Sequence, residues 1–188
     1  WWYKLLESFN FLKKKNFNFS KIRKICVDGT SGTVLISDLN GKPLTHALMY
    51  NDASCVNESI IIKNISDNHP LFSSPNNALA RSLYLFENNK FNSKIKILHQ
   101  ADWVIGKLLG EFNYSDNNNS LKLGYDSENS KWFEWIDKLK FNKDIFPIIK
   151  SPGEELGNLS KSLINEFGFN NKCIITAGTT DGIASFLS

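Results

Sequence analysis

The sequence predicts an α/β fold, and three observations support this prediction. Short strand patterns alternate with helical patterns along the 188 residues. Two of the strand patterns, over 22–27 and 173–177, lead directly into loops that contain glycine. Three predicted strands end in small or polar residues, as in open α/β sheets, where ligands bind beyond the carboxyl ends of strands. We therefore expect one domain with its functional groups gathered at strand ends.

The first 50 residues are predicted to form a helix followed by strands. Residues 1–15 are amphipathic, with apolar side chains at helical spacing at Trp2, Leu5, Leu6, Phe9 and Leu12. Residues 22–27 alternate apolar and polar side chains, as a half-buried strand does, and 33–37 continue as a second strand. The Asn40-Gly41 pair predicts a hairpin turn into a third strand over 43–50.

The rest of the chain is predicted to be mainly helical. Asp52 is a favourable N-cap for a helix with Val56, Ile60 and Ile61 on its buried face. Further helices are predicted over 78–87, 101–109, 132–141, 161–167 and from 181 onward, with strands over 95–98 and 173–177. The polar stretch 113–120 and the stretch 147–157, rich in Pro and Gly, are predicted to be irregular.

Composition and charge argue against several kinds of partner. The net charge of +3 is too small for a nucleic-acid footprint, and the tight basic run Lys13–Lys15 suits the end of a helix. We expect no membrane segment, because no apolar stretch approaches the roughly 18 residues that a span requires. The cysteines and histidines lack the spacing of a disulfide framework or a metal site. A cytoplasmic protein without a metal site of its own is the prediction.

The segment 173–182 is the most informative part of the chain. A buried strand leads into Gly178, which lets the backbone turn closely, and Asp181 begins a helix whose positive end favours an ionised carboxylate. Such a carboxylate at a cleft is a usable general base. The alternative is that Asp181 merely caps the helix, as Asp commonly does. Local sequence leaves both interpretations open.

Two other segments offer polar groups to a ligand. The loop 28–32, Asp-Gly-Thr-Ser-Gly, presents backbone donors and hydroxyls that suit a polyol or a phosphate, but it lacks the Lys of a GxxxxGK loop, and a simple tight turn explains it equally well. The segment 49–52, Met-Tyr-Asn-Asp, offers an aromatic face, an amide and a carboxylate. A strand end that passes into an Asp-capped helix is the competing interpretation.

In this order, the segments resemble those of the FGGY carbohydrate kinases, which phosphorylate sugars and polyols with ATP. The resemblance runs through almost the whole chain. It rests on 27–35, 50–52, Gln100-Ala-Asp-Trp103, Tyr114-Ser-Asp116, 121–125 and 177–181. The resemblance implies a ribonuclease H-like fold of the actin and hexokinase type. Within the family, the residues of these motifs are similar to those of the D-ribulose kinase of cyanobacteria and plants, often labelled xylulose kinase-like.

The resemblance also implies roles for individual residues. Asp181 would be the catalytic base that takes the proton from the terminal sugar hydroxyl as it attacks the γ-phosphate of ATP, with Mg²⁺ stabilising the charge. The substrate contacts would be Thr30, Ser31, Tyr50, Asn51 and Asp52. The nucleotide contacts would be Gly178, Thr179 and Thr180. The expected acceptor is a ketopentose, D-ribulose before D-xylulose.

The resemblance further predicts that residues 1–188 are a partial N-terminal, sugar-binding domain, incomplete at both ends. The family's first phosphate-binding hairpin would precede residue 1, and its nucleotide-binding domain would follow residue 188. We therefore expect this chain to be inactive by itself, to bind a small-molecule sugar, and to belong to a full-length protein that could form a homodimer. Two alternatives stay open: a non-catalytic sugar-binding domain, and a kinase for glycerol or another polyol.

Overall fold

A computed structural model describes residues 1–72 and 74–188 and confirms the α/β class. The α-helices are α1 (Trp2–Lys14), α2 (Val56–Ile65), α3 (Ala78–Glu87), α4 (Gln100–Leu109), α5 (Asn117–Ser120), α6 (Lys161–Phe167) and α7 (Asp181–Leu187). The strands are β1 (Lys24–Ile25), β2 (Val34–Asp38), β3 (Ile95–His99), β4 (Tyr114–Asp116), β5 (Tyr125–Asp126), β6 (Lys131–Trp132), β7 (Ile148–Lys150), β8 (Glu155–Asn158) and β9 (Ile174–Thr176). Short 3₁₀ helices span Phe19–Lys21, Pro70–Phe72, Leu121–Leu123, Glu134–Lys138 and Lys143–Ile145.

The strands pair in small sheets. β9 lies between β1, to which it is parallel, and β8, to which it is antiparallel. β2 and β3 are antiparallel, with Val34 opposite His99 and Asp38 opposite Ile95. The remaining pairs are β4 with β7, parallel, and β5 with β6, antiparallel. An isolated parallel bridge at Gly29 continues the β1–β9 pairing to the start of α7.

Two main apolar clusters hold these elements together. One packs α2 and α3 against β2 and β3, with Ile36, Leu79 and Ile97 fully buried. The other packs α1 and α6 around β9, where Phe9 makes an edge-to-face contact with Phe167 at a centroid distance of 5.4 Å. Each fully buried side chain of this size contributes about 1.5–3 kcal/mol. The clusters therefore fix the layers from which the loops of the candidate site emerge.

Predicted elements with strong local signals are confirmed. The helix predicted over 78–87 coincides with α3, where the Asn77 side chain accepts a hydrogen bond from the backbone N–H of Leu79. The helices predicted over 101–109 and 161–167 match α4 and α6, which end at glycines in the left-handed conformation, Gly110 and Gly168. No helix in the described ranges is long and apolar enough to cross a membrane.

The third strand predicted over 43–50 does not form as a continuous strand. The chain returns beside β2 through isolated bridges at Pro43 and Leu48. Between them, the hydroxyl of Thr45 accepts the hydrogen bond from the backbone N–H of Ile36 at 3.1 Å. Because a side chain takes the place of a backbone carbonyl there, the ladder is interrupted.

The helix predicted after Asp52 begins later and buries a different face. α2 starts at Val56 because the Asp52 carboxylate accepts hydrogen bonds from the N–H and the hydroxyl of Ser54 in a local turn, which competes with N-capping. The residues predicted to be buried are exposed: Val56, Ile60 and Ile61. Ile62 is the fully buried residue of this helix.

Three predictions for the second half of the chain are wrong. Residues 132–141 contain the end of β6 and a 3₁₀ helix instead of an α-helix, although their aromatic side chains do pack in the core as expected. Residues 113–120 contain β4 and α5, and residues 147–157 contain most of β7 and β8. These short strands form because they pair with strands that are distant in sequence. Local composition does not predict such pairing.

Candidate functional site

The loop 28–32 between β1 and β2, called the glycine loop below, forms the centre of the candidate site. Gly29 donates its N–H to the carbonyl of Thr179 at 3.3 Å and accepts the N–H of Asp181 at 3.0 Å. The Asp28 carboxylate accepts the N–H of Thr179 at 3.2 Å. These bonds hold the glycine loop against the start of α7.

Gly178 allows this close approach. A Cβ atom added at Gly178 would lie 2.0 Å from the carbonyl oxygen of Val27. The obstructing atom belongs to the backbone, so it cannot rotate away as a side chain could. No turn forms at Gly178, so the prediction of a close backbone turn there is wrong; glycine is needed because the backbone of the segment following β1 packs directly against it.

We expect Gly178→Ala to lower the free energy of unfolding by about 1–3 kcal/mol, because β1 and β9 must separate to admit the methyl group. Urea denaturation followed by circular dichroism would measure the change. Gly182→Ala is the matched control, since a Cβ at Gly182 meets nothing within 4 Å. Alanine is also the better helix former, so this control should raise stability by up to about 1 kcal/mol. Unchanged stability of Gly178→Ala would contradict the close packing described here.

Asp181 is exposed and is the first residue of α7. The N-cap is Thr180, whose hydroxyl accepts the N–H of Ile183 at 3.3 Å. The Asp181 carboxylate accepts the N–H of Gly182 at 2.8 Å. The interpretation that Asp181 serves as the cap of this helix is therefore wrong, because Thr180 fills that position. The carboxylate remains accessible from solvent.

Arg81 connects the glycine loop to the segment 50–52. Its side chain is fully buried in α3, and Nη1 donates to the carbonyl of Gly32 at 2.6 Å. Nη2 donates to the carbonyl of Tyr50 at 2.6 Å and to that of Asp52 at 2.8 Å. Burial lowers the pKa of the guanidinium from its ordinary value, with Cys55 and Asp52 opposing. Backbone carbonyl dipoles thus solvate a buried cation and join two segments of the site.

The hydroxyl of Thr33 links the same two segments. Its Oγ1 accepts the N–H of Tyr50 at 3.0 Å and lies 3.0 Å from the Oγ1 of Thr30. Thr30 Oγ1 also donates to Gln100 Oε1 at 3.3 Å. The hydroxyl of Thr30, a predicted substrate contact, therefore already has protein partners.

The other predicted substrate contacts differ in how firmly they are held. The side chain of Tyr50 is 51% exposed, and Asn51 is also exposed. The Asp52 carboxylate is engaged by Ser54, whose hydrogen bonds lower the pKa of that carboxyl below its ordinary value. Within 1–72 and 74–188, no hydrogen bond joins any of these side chains to the carboxylate of Asp181. The three segments meet through the glycine loop.

A buried polar group behind Thr179 was not predicted from the sequence. Asn118 Nδ2 donates to the hydroxyl of Thr179 at 2.7 Å. Asn119 Nδ2 donates to Asp116 Oδ2 at 2.6 Å and lies 3.4 Å from the carbonyl oxygen of Thr179. Burial, reinforced by the nearby Asp102, raises the pKa of Asp116. α5 thus helps to hold the loop that precedes Asp181.

His99 and Asp102 lie next to this group and are completely buried. Asp102 Oδ2 accepts the backbone N–H of His99 at 2.8 Å and lies 3.0 Å from its Nδ1.

One signal in the sequence could have indicated these buried polar residues. Polar pairs at i,i+3 spacing, here His99 with Asp102 and Asp116 with Asn119, are typical of helix starts. Arg81 carries another signal, because it is the one charged residue in the apolar run 78–86.

The predicted nucleotide contacts are buried and have internal hydrogen bonds. The hydroxyl of Thr179 accepts from Asn118, and that of Thr180 caps α7, while Gly178 packs on Val27. In the part of the chain that the structure describes, no group of three or more His, Cys, Asp or Glu residues could hold a metal ion. These residues therefore support the start of α7 in this arrangement.

Comparisons with known proteins agree with this architecture. The family model for the N-terminal domain of the FGGY family of carbohydrate kinases matches residues 1–188. A xylulose kinase from Brucella ovis is 20% identical, with a TM-score of 0.81 over 95% of this chain and 38% of that chain. A xylulose kinase from Rhodospirillum rubrum is also 20% identical, with a TM-score of 0.76 over 87% of this chain and 36% of that chain.

A glycerol kinase from Plasmodium falciparum, solved with ADP, is 21% identical, with a TM-score of 0.73 over 86% of this chain and 34% of that chain. At these identities the likeness shows the fold, and the fold is that of sugar kinases of the actin and hexokinase type. The predicted fold is therefore confirmed. The chain spans little more than a third of the length of these three structures.

Proposed function

The chain belongs to the FGGY family of carbohydrate kinases, and we propose that the protein of which it forms part transfers the γ-phosphoryl group of ATP to the terminal hydroxyl of a sugar. The observation that carries this proposal is the position of Asp181. Its carboxylate is exposed, and its backbone N–H is bonded to Gly29. Arg81 connects the same loop to the carbonyl of Tyr50, so the glycine loop is bonded to the start of α7 and, through Arg81, to the polar segment 50–52.

Asp181 acts as the general base in this proposal. Its carboxylate accepts the proton of the terminal sugar hydroxyl while the hydroxyl oxygen forms a bond to the γ-phosphorus. The bond between that phosphorus and the β,γ-bridging oxygen breaks, and ADP leaves. Because the helix start is held by Gly29, Asn118 and Thr180, the carboxylate keeps its position without its own side chain being buried.

The sugar contacts we propose are Thr30, Ser31, Tyr50, Asn51 and Asp52. The half-exposed ring of Tyr50 offers an apolar face to the carbon chain, and the side chain of Asn51 is exposed to bind hydroxyls. The hydroxyl of Thr30 also fixes the loop through Thr33 and Gln100. We favour a ketopentose, D-ribulose first and D-xylulose next. The sequence of 27–35 and 177–181 supports D-ribulose as the substrate. The likeness to xylulose kinases supports D-xylulose, its epimer.

We assign Gly178, Thr179 and Thr180 to the side of the site that receives the phosphates of ATP. The buried hydroxyls of Thr179 and Thr180 have internal partners, so the contribution of these three residues is to shape the backbone that leads to Asp181. When bound with the nucleotide, Mg²⁺ would neutralise phosphate charge. The described residues offer it no cluster of ligands, so no step of the proposal runs through a metal held by this chain.

A kinase assay of the intact parent protein tests the proposal. With ATP and Mg²⁺, we expect sugar-dependent ADP release with the highest kcat/KM for D-ribulose or D-xylulose, compared with glycerol and D-gluconate. Phosphorus and carbon NMR of the product should place the phosphate on the terminal carbon. Absence of ADP release with both ketopentoses would contradict the substrate class.

Residues 1–188 alone should give no sugar phosphate in the same assay. Turnover by this chain would contradict our view that ATP binding requires further segments.

A further inference from the structure

A separate cleft lies at the far end of the β2–β3 pair. β2 starts beside the glycine loop at Val34 and ends at Asp38, which pairs with Ile95 at the start of β3. The two ends of β2 are four residues apart along the strand, a distance of about 13 Å. The cleft there has a volume of about 750 Å³, and sites for small molecules measure roughly 300–1,000 Å³. No residue of the glycine loop or of 177–181 lines it.

The walls of this cleft combine apolar and basic side chains. The rings of Phe86 and Phe91 stack at a centroid distance of 6.2 Å and an angle of 27°, and both line the cleft. Three lysines and one acidic residue also line it, so the lining side chains carry a net charge of +2, which the Glu87 carboxylate beside Lys140 reduces to +1. These residues are Lys94, Lys96, Lys140 and Asp144.

The lysines are incompletely neutralised by the protein. Lys96 Nζ donates to the backbone carbonyl of Asp144 at 3.0 Å, and partial burial lowers the pKa of Lys96, with the Asp144 charge opposing. Lys140 lies 3.3 Å from a carboxylate oxygen of Glu87. Lys94 is exposed and forms no ion pair with any residue in 1–72 or 74–188. The ammonium group of Lys96 uses one of its N–H donors for the Asp144 carbonyl, and its other N–H donors can bind an anion.

We propose that this cleft binds a small organic anion, specifically a phosphomonoester that carries an aromatic or similarly flat ring. The ring would lie against Phe86 and Phe91, and the phosphate would accept charge-assisted hydrogen bonds from Lys94 and Lys96. Inorganic phosphate alone would leave the apolar wall in contact with water. A neutral ring would leave the lysines without a counter-charge. The inference does not depend on the kinase proposal, because the two sites share no residue.

Binding to the 188-residue chain tests this inference, with phenyl phosphate, inorganic phosphate and benzyl alcohol as probes. Isothermal titration would give the affinities, and amide NMR shifts would locate the site. We expect phenyl phosphate to shift signals of residues 86–96 and to bind at least about tenfold more tightly than either partial probe. Equal affinity for phenyl phosphate and inorganic phosphate would overturn the proposal. So would shifts confined to the glycine loop and 177–181, because the phosphate would then occupy the candidate kinase site.

Substitution of the lysines provides a second test. The double variant Lys94→Met with Lys96→Met should weaken binding of phenyl phosphate by at least about tenfold. Lys131→Met is the matched control, because Lys131 is paired with Glu134 and does not line the cleft. Lys94→Gln alone, at an exposed position, should cause a smaller loss even if the double variant fails to fold. Wild-type affinity in the folded double variant would refute the site, and so would wild-type affinity in Lys94→Gln if the double variant does not fold.

Discussion

Asp181→Asn in the intact protein should lower kcat by about 10²- to 10⁴-fold while sugar affinity stays nearly unchanged. The amide cannot take up the proton of the sugar hydroxyl, whereas its size and its acceptor oxygen for the N–H of Gly182 are retained. The loss should therefore fall on turnover, since the proton transfer belongs to the transition state. ADP release coupled to a dehydrogenase would measure kcat, and calorimetry without ATP would measure sugar binding.

Asp126→Asn is a suitable control for this experiment. The Asp126 carboxylate also accepts a backbone N–H from a residue just after it, Glu128, but it lies in β5 outside the candidate site. This variant should keep the turnover of the unmodified enzyme. If Asp181→Asn retained more than about a tenth of wild-type turnover, the proton transfer would have to be assigned to another group. Loss of sugar binding in Asp181→Asn would instead indicate that the carboxylate acts as a substrate contact.

Arg81→Met should lower the free energy of unfolding by about 3–5 kcal/mol, the second large effect that we expect. Methionine fills much of the aliphatic volume, but it cannot donate to the carbonyls of Gly32, Tyr50 and Asp52. Carbonyl groups left buried without a donor each carry a desolvation cost. Because the same bonds connect the glycine loop to the segment 50–52, sugar binding should weaken as well. Urea titration monitored by tryptophan fluorescence would give the stability change.

Two further variants make the Arg81 result specific. Arg23→Met removes an exposed arginine and should change stability by no more than about 0.5 kcal/mol. Arg81→Lys keeps the charge but loses the planar fork that reaches several carbonyls at once, so an intermediate loss is expected. If Arg81→Met were as stable as Arg23→Met, water or another donor would have to satisfy the three carbonyls, and the connecting role of Arg81 would be lost.

The sequence by itself determined the features whose cause is local. Asn77 marks the start of α3, and Gly110 and Gly168 mark the ends of α4 and α6, because caps and left-handed turns act within a few residues. The start of α7 was predictable for the same reason. The family could also be named from the order of short motifs along the chain, and the family comparison confirms it.

The tertiary structure alone decided which distant groups meet. Arg81 bonds to carbonyls 29, 31 and 49 residues away in sequence, and Asn118 reaches Thr179 across 61 residues. The pairing of β4 with β7 likewise joins segments that look irregular by composition. The physical reason is that the periodicity of apolar residues indicates only which face of a helix or strand is apolar. The partner of a buried donor depends on how the layers pack, and that packing is a property of the whole chain.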